Sequence, residues 1–316
     1  MKSRSTFIAA ICLLSGAFYS AELHAQYNTD FGISIGASNY LGDIGGDILS
    51  RRDFVADMKV NQTRSTAGFF VRHRLNSRLS IKSDFVWARI SGSDSYSSNP
   101  ARNTRNLSFR NDIVELNAIG QVHIIQINDL GRTFRHKDNF RAYVGAGIGL
   151  IYHNPKTFYQ GVYIPLRPLQ TENVSYSKVA AVIPVSGGFT FTFDKRYKIG
   201  FDLCWRTTFT DYLDDISTRY ADPSTMISPL AAELSNRTDE LDNIPAAFAE
   251  NFTPGNKRGD SSHNDSYLTS TVEFSYALKG RRAFDKPQYP WIKQRPSKYD
   301  GPGKVRYKVR KVRPKW

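Results

Sequence analysis

The chain has 316 residues, 40% of them hydrophobic and 23% charged, with a formal net charge of +14 and a mean hydropathy of −0.44. Beyond the N-terminal leader no stretch approaches the roughly 18 consecutive apolar residues of a membrane-spanning helix. Of the two cysteines, one falls in the leader, so an intrachain disulfide is excluded and a packed core or a closed barrel has to supply stability.

The first element is the leader itself, "MKSRSTFIAAICLLSGAFYSAELHAQ". Lys2 and Arg4 form a charged start, Thr6 to Tyr19 a short apolar run, and Ala25 before Gln26 a small-residue cleavage point. That is a secretory signal peptide over residues 1–25. Cys12 sits inside the apolar run with more apolar sequence after it, which disfavours a lipid-anchored terminus.

Period-two alternation then runs along the chain. In the first strand Phe31, Ile33 and Ile35 share a face opposite Gly32, Ser34 and Gly36; in the second, Ala67, Phe69 and Val71 oppose Gly68, Phe70 and Arg72. Leu79, Ile81, Phe85 and Trp87 oppose Lys82 and Asp84, and Val114, Leu116, Val122 and Ile124 oppose Glu115, Asn117, Gln121 and His123. The fifth strand sets Phe140, Ala142, Val144, Ile148 and Leu150 against Gly145, Gly147 and Gly149; the sixth sets Phe189, Phe191 and Phe193 against Gly188, Thr190 and Thr192. Ile199, Phe201, Leu203 and Trp205 oppose Asp202, Cys204 and Arg206, and Val272, Phe274, Tyr276 and Leu278 oppose Thr271, Glu273 and Ser275.

This gives about eight strands, each near the roughly 9–11 residues that a tilted spanning strand needs. The connections at 75–78 and 194–197 are tight, whereas those after the first, third, fifth and seventh strands are long. Short turns at one end and long loops at the other predict an all-β fold: an eight-stranded antiparallel transmembrane barrel of the outer membrane, over residues 26–279, with long extracellular loops. A lipocalin-like soluble barrel also alternates, but its apolar face would point inward. Here the opposite face carries Arg72, Lys82, Asp84, Glu115, His123, Arg141, Asp202, Arg206 and Glu273, charges that fit a lumen and not a lipid surface.

The mixed signs predict a packed salt-bridge plug in place of a conduction path, since side chains fill the interior of a small barrel. The Gly145–Gly147–Gly149 row is expected to make room for a bulky lumen neighbour such as Phe70 or an inward arginine. HExxH does not occur, and the histidines fall in unrelated places, so no catalytic residue, metal ligand or cofactor site is assigned. Asp211, Asp214, Asp215 and Asp222 lack the spacing of a calcium loop and are expected to cap, turn or pair. Asp222 before Pro223 predicts a short helix in the last loop.

Charge is concentrated beyond the last strand. Residues 280–316 hold thirteen Lys/Arg against Asp285 and Asp300, a net of +11, leaving the barrel near neutral. A Pro-spaced linker leads into "KVRYKVRKVRPKW", where Lys304, Arg306, Lys308 and Arg310 alternate with Val305, Tyr307 and Val309, followed by Lys311 and Arg313. Such an end can add as a strand to a partner's sheet edge. The signal peptide argues against nucleic acid, and an even strand number puts this tail in the periplasm with the short turns, facing protein, headgroups or cell wall.

The opening "FGISIGASNYLGDIGGD", the run "TFTDYLDDISTRY" leaving the seventh strand, and the barrel layout together resemble the PorG family of the type IX secretion and gliding machinery of Bacteroidetes. The resemblance covers residues 26–279. It implies a non-enzymatic outer-membrane component that contacts the periplasmic ring built from PorK lipoprotein and PorN. Read from the residues themselves, Tyr40 is placed at the outer rim as an interfacial aromatic, Gly42 turns the chain, and Asp43 pairs with a lumen arginine or with the mouth of the seventh strand at Tyr212 and Asp214; an ordinary Gly-Asp turn is the alternative. The competing functions are a lipid- or peptide-hydrolysing barrel enzyme and a small solute pore.

Overall fold

Alternation of side chains across a pleated strand leaves each segment with one apolar and one polar face, and closing the sheet satisfies every edge. In the computed structural model, which describes residues 29–45, 60–76, 78–129, 137–193, 196–241, 248 and 250–278, eight long strands do this. They are β1 (Thr29–Leu41), β2 (Arg64–Arg74), β3 (Leu79–Ser93), β4 (Ser108–Asp129), β5 (Lys137–Tyr152), β8 (Val179–Phe193), β9 (Tyr197–Thr208) and β10 (Ser266–Leu278). Each pairs antiparallel with its neighbour in the ring, and β1 closes it on β10 from Thr29 opposite Leu278 to Leu41 opposite Ser266. Two further strands, β6 (Lys156–Tyr159) and β7 (Val162–Pro165), form a hairpin that continues the wall beyond β4.

The outward face is apolar throughout the middle of the barrel. Phe31, Ile33, Phe69, Ile81, Leu116, Ile148, Phe191 and Phe274 are all exposed there, and no helix among the described residues is long and apolar enough to cross a membrane. Exposed apolar side chains in a continuous ring are stable only in lipid, so the strands span the bilayer. The register of β4 against β5 shifts at two places, and at the first His123 opposes Tyr143 and Ile125 opposes Ala142, leaving Ile124 as the extra residue. This bulge puts Ile124 and Ile125 both on the lipid face.

The tight turn after β2 is closed by Asn76, whose side-chain oxygen accepts from the amides of Arg78 and Leu79. At the opposite end the connections run over residues 42–63, 94–107, 153–178 and 209–265. They carry the short helices α1 (Pro100–Arg105) and α2 (Pro229–Ser235). The predicted helix of the last loop is divided: Asp222 caps a single 3-10 turn at Pro223–Thr225, and α2 has its own cap in Ser228, which accepts from Ala231 N. The β6–β7 hairpin had no counterpart in the sequence reading.

The glycine row of β5 serves different neighbours from those anticipated. A Cβ on Gly147 would lie 2.2 Å from the carbonyl oxygen of Ala118, so it admits the adjacent backbone of β4; Phe70 instead takes the space over Gly32. The described residues fall in one unit, Tyr27–Gly280, while residues 1–28 and 279–316, including the whole of the basic tail, lie outside the described residues.

Candidate functional site: a filled lumen beneath a loop plug

The lumen is built in layers. In the middle layer Glu273 on β10 receives Arg72 Nη2 and Lys82 Nζ, each at 2.6 Å. Lys82 also lies 3.5 Å from Asp84 and 4.0 Å from Asp202, and Asp202 accepts from Tyr143 Oη at 2.7 Å. Phe70 fills the space between these charges, with Arg72 and Lys82 about 5 Å from its ring centre. One layer toward the long loops, Arg206 Nε pairs with Glu115 at 2.6 Å and Tyr267 Oη donates to the other oxygen of Glu115 at 2.8 Å. Asn117, directly opposite Asp84 on β4, donates to its carboxylate at 2.7 Å. All of these charged groups are at most 5% exposed.

Toward the short turns the lumen holds the Lys198–Asp30 ion pair, Arg72, Arg141 and His123 around a cavity of about 20 Å³. That is room for about one water. Ser80 Oγ lies 2.7 Å from His123 Nε2, but His123 Nδ1 meets no acceptor among the described residues, so no carboxylate orients the ring as a general base requires. Cys204 is a small buried lumen side chain, 1% exposed.

The long-loop end is closed by its own connections. Tyr40 does not sit at an interfacial rim: it is 3% exposed, points inward, and its hydroxyl lies 2.7 Å from both Asp214 and Asp265. The pattern of β1 continues inward one step further than the lipid belt, and the loops then cover it. A phenol has one hydrogen, so two contacts of that length to two carboxyl groups require a second proton in the trio. Burial, with Asp265, Asp43 and Asp211 nearby, raises Asp214 well above the usual carboxylate range, which makes Asp214 the holder of that proton. Gly42 makes the approach possible, since a Cβ there would fall 2.0 Å from Tyr40 Oη, and the chain bends at this position as it leaves β1.

Among the described residues Asp43 meets no lumen arginine through its carboxylate. Its carboxylate accepts from the backbone N–H of Asp260 at 2.6 Å, and its main-chain carbonyl accepts from Arg105 Nη2 at 3.0 Å. Tyr212 stacks on Tyr176, centroids 4.6 Å apart, and does not touch Asp43 in any contact seen here. Two arginines tie the loops to one another. Arg105 chelates Asp94 and donates to the carbonyl of Arg258, joining the first, second and fourth loops. Arg258 pairs with Glu172 at 2.9 Å and donates to the carbonyl of Asp215, joining the third and fourth. Asp215 accepts from Thr171 Oγ1 and Tyr176 Oη, and burial pushes its carboxyl up to about 6.

Of the residues singled out from sequence, Arg72, Lys82, Asp84, Asp202 and Glu273 meet in one lumen layer, Glu115 and Arg206 in the next, and Tyr40 and Asp214 in the plug. Lys304, Arg306, Tyr307, Lys308, Arg310, Lys311 and Arg313 lie outside the described residues. Sequence reasoning missed Arg105, Arg258, Asp94, Glu172, Asp265 and Tyr267. For Tyr267 a signal existed, because the alternation of β10 extends back to it; the loop arginines carry no periodic signal. Among the described residues no group of His, Cys, Asp and Glu is arranged to hold a metal ion.

A closed eight-stranded antiparallel sheet, lipid-facing outside and filled with ion pairs inside, defines a membrane-spanning β-barrel protein. The chain belongs to the family described as Domain of unknown function (DUF6089), whose model matches residues 4–226. That match ends within the last loop, before β10. No curated protein matches the chain in sequence. Among solved structures it is similar to Neisserial surface protein A, with 8% identity and a TM-score of 0.37 over 81% of this chain and 100% of that one. It is also similar to OprG from Pseudomonas aeruginosa, with 9% identity and a TM-score of 0.35 over 82% and 100%. Ail, the attachment invasion locus protein of Yersinia pestis, gives 9% identity and a TM-score of 0.34 over 79% and 98%. At these values nothing of what those proteins do carries over.

Proposed function

We propose that this protein is a non-enzymatic barrel of the bacterial outer membrane that anchors or contacts the periplasmic ring of a type IX secretion and gliding machinery, with PorK- and PorN-like proteins as partners. The observation that carries the reading is the filled lumen beneath a tied plug, which leaves the two rims as the working surfaces of the barrel. The leader supports export, and the even strand number with short turns at one end supports a periplasmic short-turn face. The two segments behind the PorG resemblance pack against each other, Tyr40 on Asp214, which supports a shared architecture. The tail from residue 280 onward, with its +11 charge, is the proposed hook into the ring.

The test is affinity capture from detergent-solubilised outer membranes with the full chain and with a form ending at Lys279. Ring proteins that arrive only with the full chain support an anchor whose hook is the tail. Arrival with both forms moves the contact to the periplasmic turns. Arrival with neither removes the functional content of the proposal. A planar bilayer recording on the same preparations tests the pore alternative, for which the filled lumen predicts no discrete conductance.

A further inference from the structure

The apolar belt ends abruptly on one side of the barrel. On β3, Leu79, Ile81, Phe85 and Trp87 face outward, and two residues beyond Trp87 the same face carries Arg89. From Leu79 to Trp87 the strand rises about 26 Å, roughly 20 Å across the membrane at a tilt near 40°. Arg89 therefore stands where hydrocarbon gives way to headgroups on the long-loop side. The register places Asp112 of β4 directly across from Arg89, Arg110 one step higher on the same face, and Lys156 of β6 across from Arg110. Opposed residues of antiparallel strands share a face, so the three cations form one membrane-facing patch.

The patch is built, not incidental. Asp112 takes Arg89 Nε at 2.6 Å and Arg110 Nη2 at 3.3 Å, which holds the two guanidinium groups side by side. Arg89 lies over the ring of Trp87 at 5.2 Å and Arg110 over that of Tyr163 at 4.8 Å. Tyr163 in turn packs edge-on against Phe158, both about half exposed on the outer face of the hairpin. The unpredicted β6–β7 hairpin thus brings an aromatic pair and a lysine to this height. Both guanidinium side chains keep about 30% of their surface open.

Three cations against one carboxylate leave a net of +2 facing the headgroup layer. A phosphate monoester carries about −1.5 to −2 at neutral pH and presents three acceptor oxygens; a phospholipid diester carries one charge and suits the patch less well. We propose that Arg89, Arg110 and Lys156 bind the phosphate monoester of a phosphorylated glycolipid, of the lipid A type, in the outer leaflet. This rests on the outer-membrane placement given under Proposed function.

The experiment uses full-length protein refolded into phosphatidylethanolamine vesicles containing either lipid A or enzymatically dephosphorylated lipid A, with bound glycolipid quantified by native mass spectrometry after detergent extraction. The expected result is about tenfold lower occupancy for the dephosphorylated lipid, and a similar loss for Arg89→Gln/Arg110→Gln/Lys156→Gln, as charge-assisted hydrogen bonds are removed. Arg64→Gln, outside the patch, should keep full occupancy. Equal retention of both lipids by the wild-type protein, or phosphatidylglycerol competing as well as lipid A, overturns the proposal. Heat-modified gel mobility reports folding separately: if the triple variant does not fold, the wild-type comparison of the two lipids still decides. A barrel that folds and spans but prefers neither lipid refutes the patch and leaves the membrane placement standing.

Discussion

Replacing Lys82 by methionine keeps the length of the side chain and removes its charge from the centre of the lumen. Its ammonium lies 2.6 Å from Glu273, 3.5 Å from Asp84 and 4.0 Å from Asp202. At an effective dielectric constant near 20 each of these pairings is worth about 4–6 kcal/mol before desolvation is subtracted. The cost of burying the ammonium offsets most of that. The larger effect is what the substitution leaves behind: three carboxylates, none more than 5% exposed, of which only Glu273 keeps an ion pair, with Arg72. Removing one partner from a buried ionic network costs about 3–5 kcal/mol, and that is the loss expected for Lys82→Met. Urea titration in detergent micelles, read by the mobility difference between folded and unfolded barrel, measures it. The double variant Lys82→Met/Glu273→Gln should recover at least about 1 kcal/mol of the loss, because it removes one of the orphaned charges. A single variant within about 1 kcal/mol of the wild type, or a double variant whose losses simply add, would refute the ion-pair account of the lumen.

Other outcomes follow from the same geometry. Gly147→Val should abolish barrel assembly, since its first side-chain carbon would meet the Ala118 carbonyl at 2.2 Å; refolding yield on semi-native gels reads this directly. Arg105→Met should destabilise the plug by about 3–5 kcal/mol by leaving Asp94 buried without its ion pair, seen as faster proteolysis of the loops with the barrel intact. The plug should also be tighter in acid. Asp215, which faces Arg258, Glu172, Thr171 and Tyr176, is pushed up to about 6, and Asp214 is raised further by burial among Asp265, Asp43 and Asp211. A carboxyl whose folded pKa is raised contributes its stability fully below the ordinary value and loses it as pH climbs through the folded value. Loop proteolysis should therefore be slower at pH 5 than at pH 8, and Asp214→Asn should weaken that dependence; faster cleavage at pH 5 would contradict it.

The strands and their inward faces were legible because the side-chain period of a strand is local: Lys82 and Phe85 declare opposite faces within four residues. The tight turns were legible for the same reason. What lay beyond reach depends on partners distant in sequence. Tyr40 reads as a rim aromatic from β1 alone; only Asp214 and Asp265, brought in by a loop of 57 residues between β9 and β10, turn it into a buried centre. Arg105 and Arg258 sit in loops without periodicity, and nothing in either segment announces a bond between positions 153 residues apart. The β6–β7 hairpin consists of two four-residue strands, one ending in Pro165, too short for alternation to separate from chance. The bulge at Ile124 was hidden by two adjacent isoleucines that both suit lipid.

The segments around Tyr40 and Asp214 carry both the family resemblance and the core of the plug, and these two roles make different predictions. If the segments were a docking site for partners, changing Tyr40 would alter capture. The geometry argues that they serve the barrel itself: the Tyr40 hydroxyl is buried, spent on Asp214 and Asp265, and separated from the short-turn end by the ion-paired layers of Arg206 and Lys82. Tyr40→Phe removes a hydroxyl from two buried carboxyl groups, at a cost of about 1–3 kcal/mol, and should speed loop proteolysis. It should leave ring-protein capture at the wild-type level, whereas truncation at Lys279 should abolish it. Loss of capture on Tyr40→Phe in a barrel that still folds would place the docking surface at the long-loop end and reverse the proposed polarity of the protein.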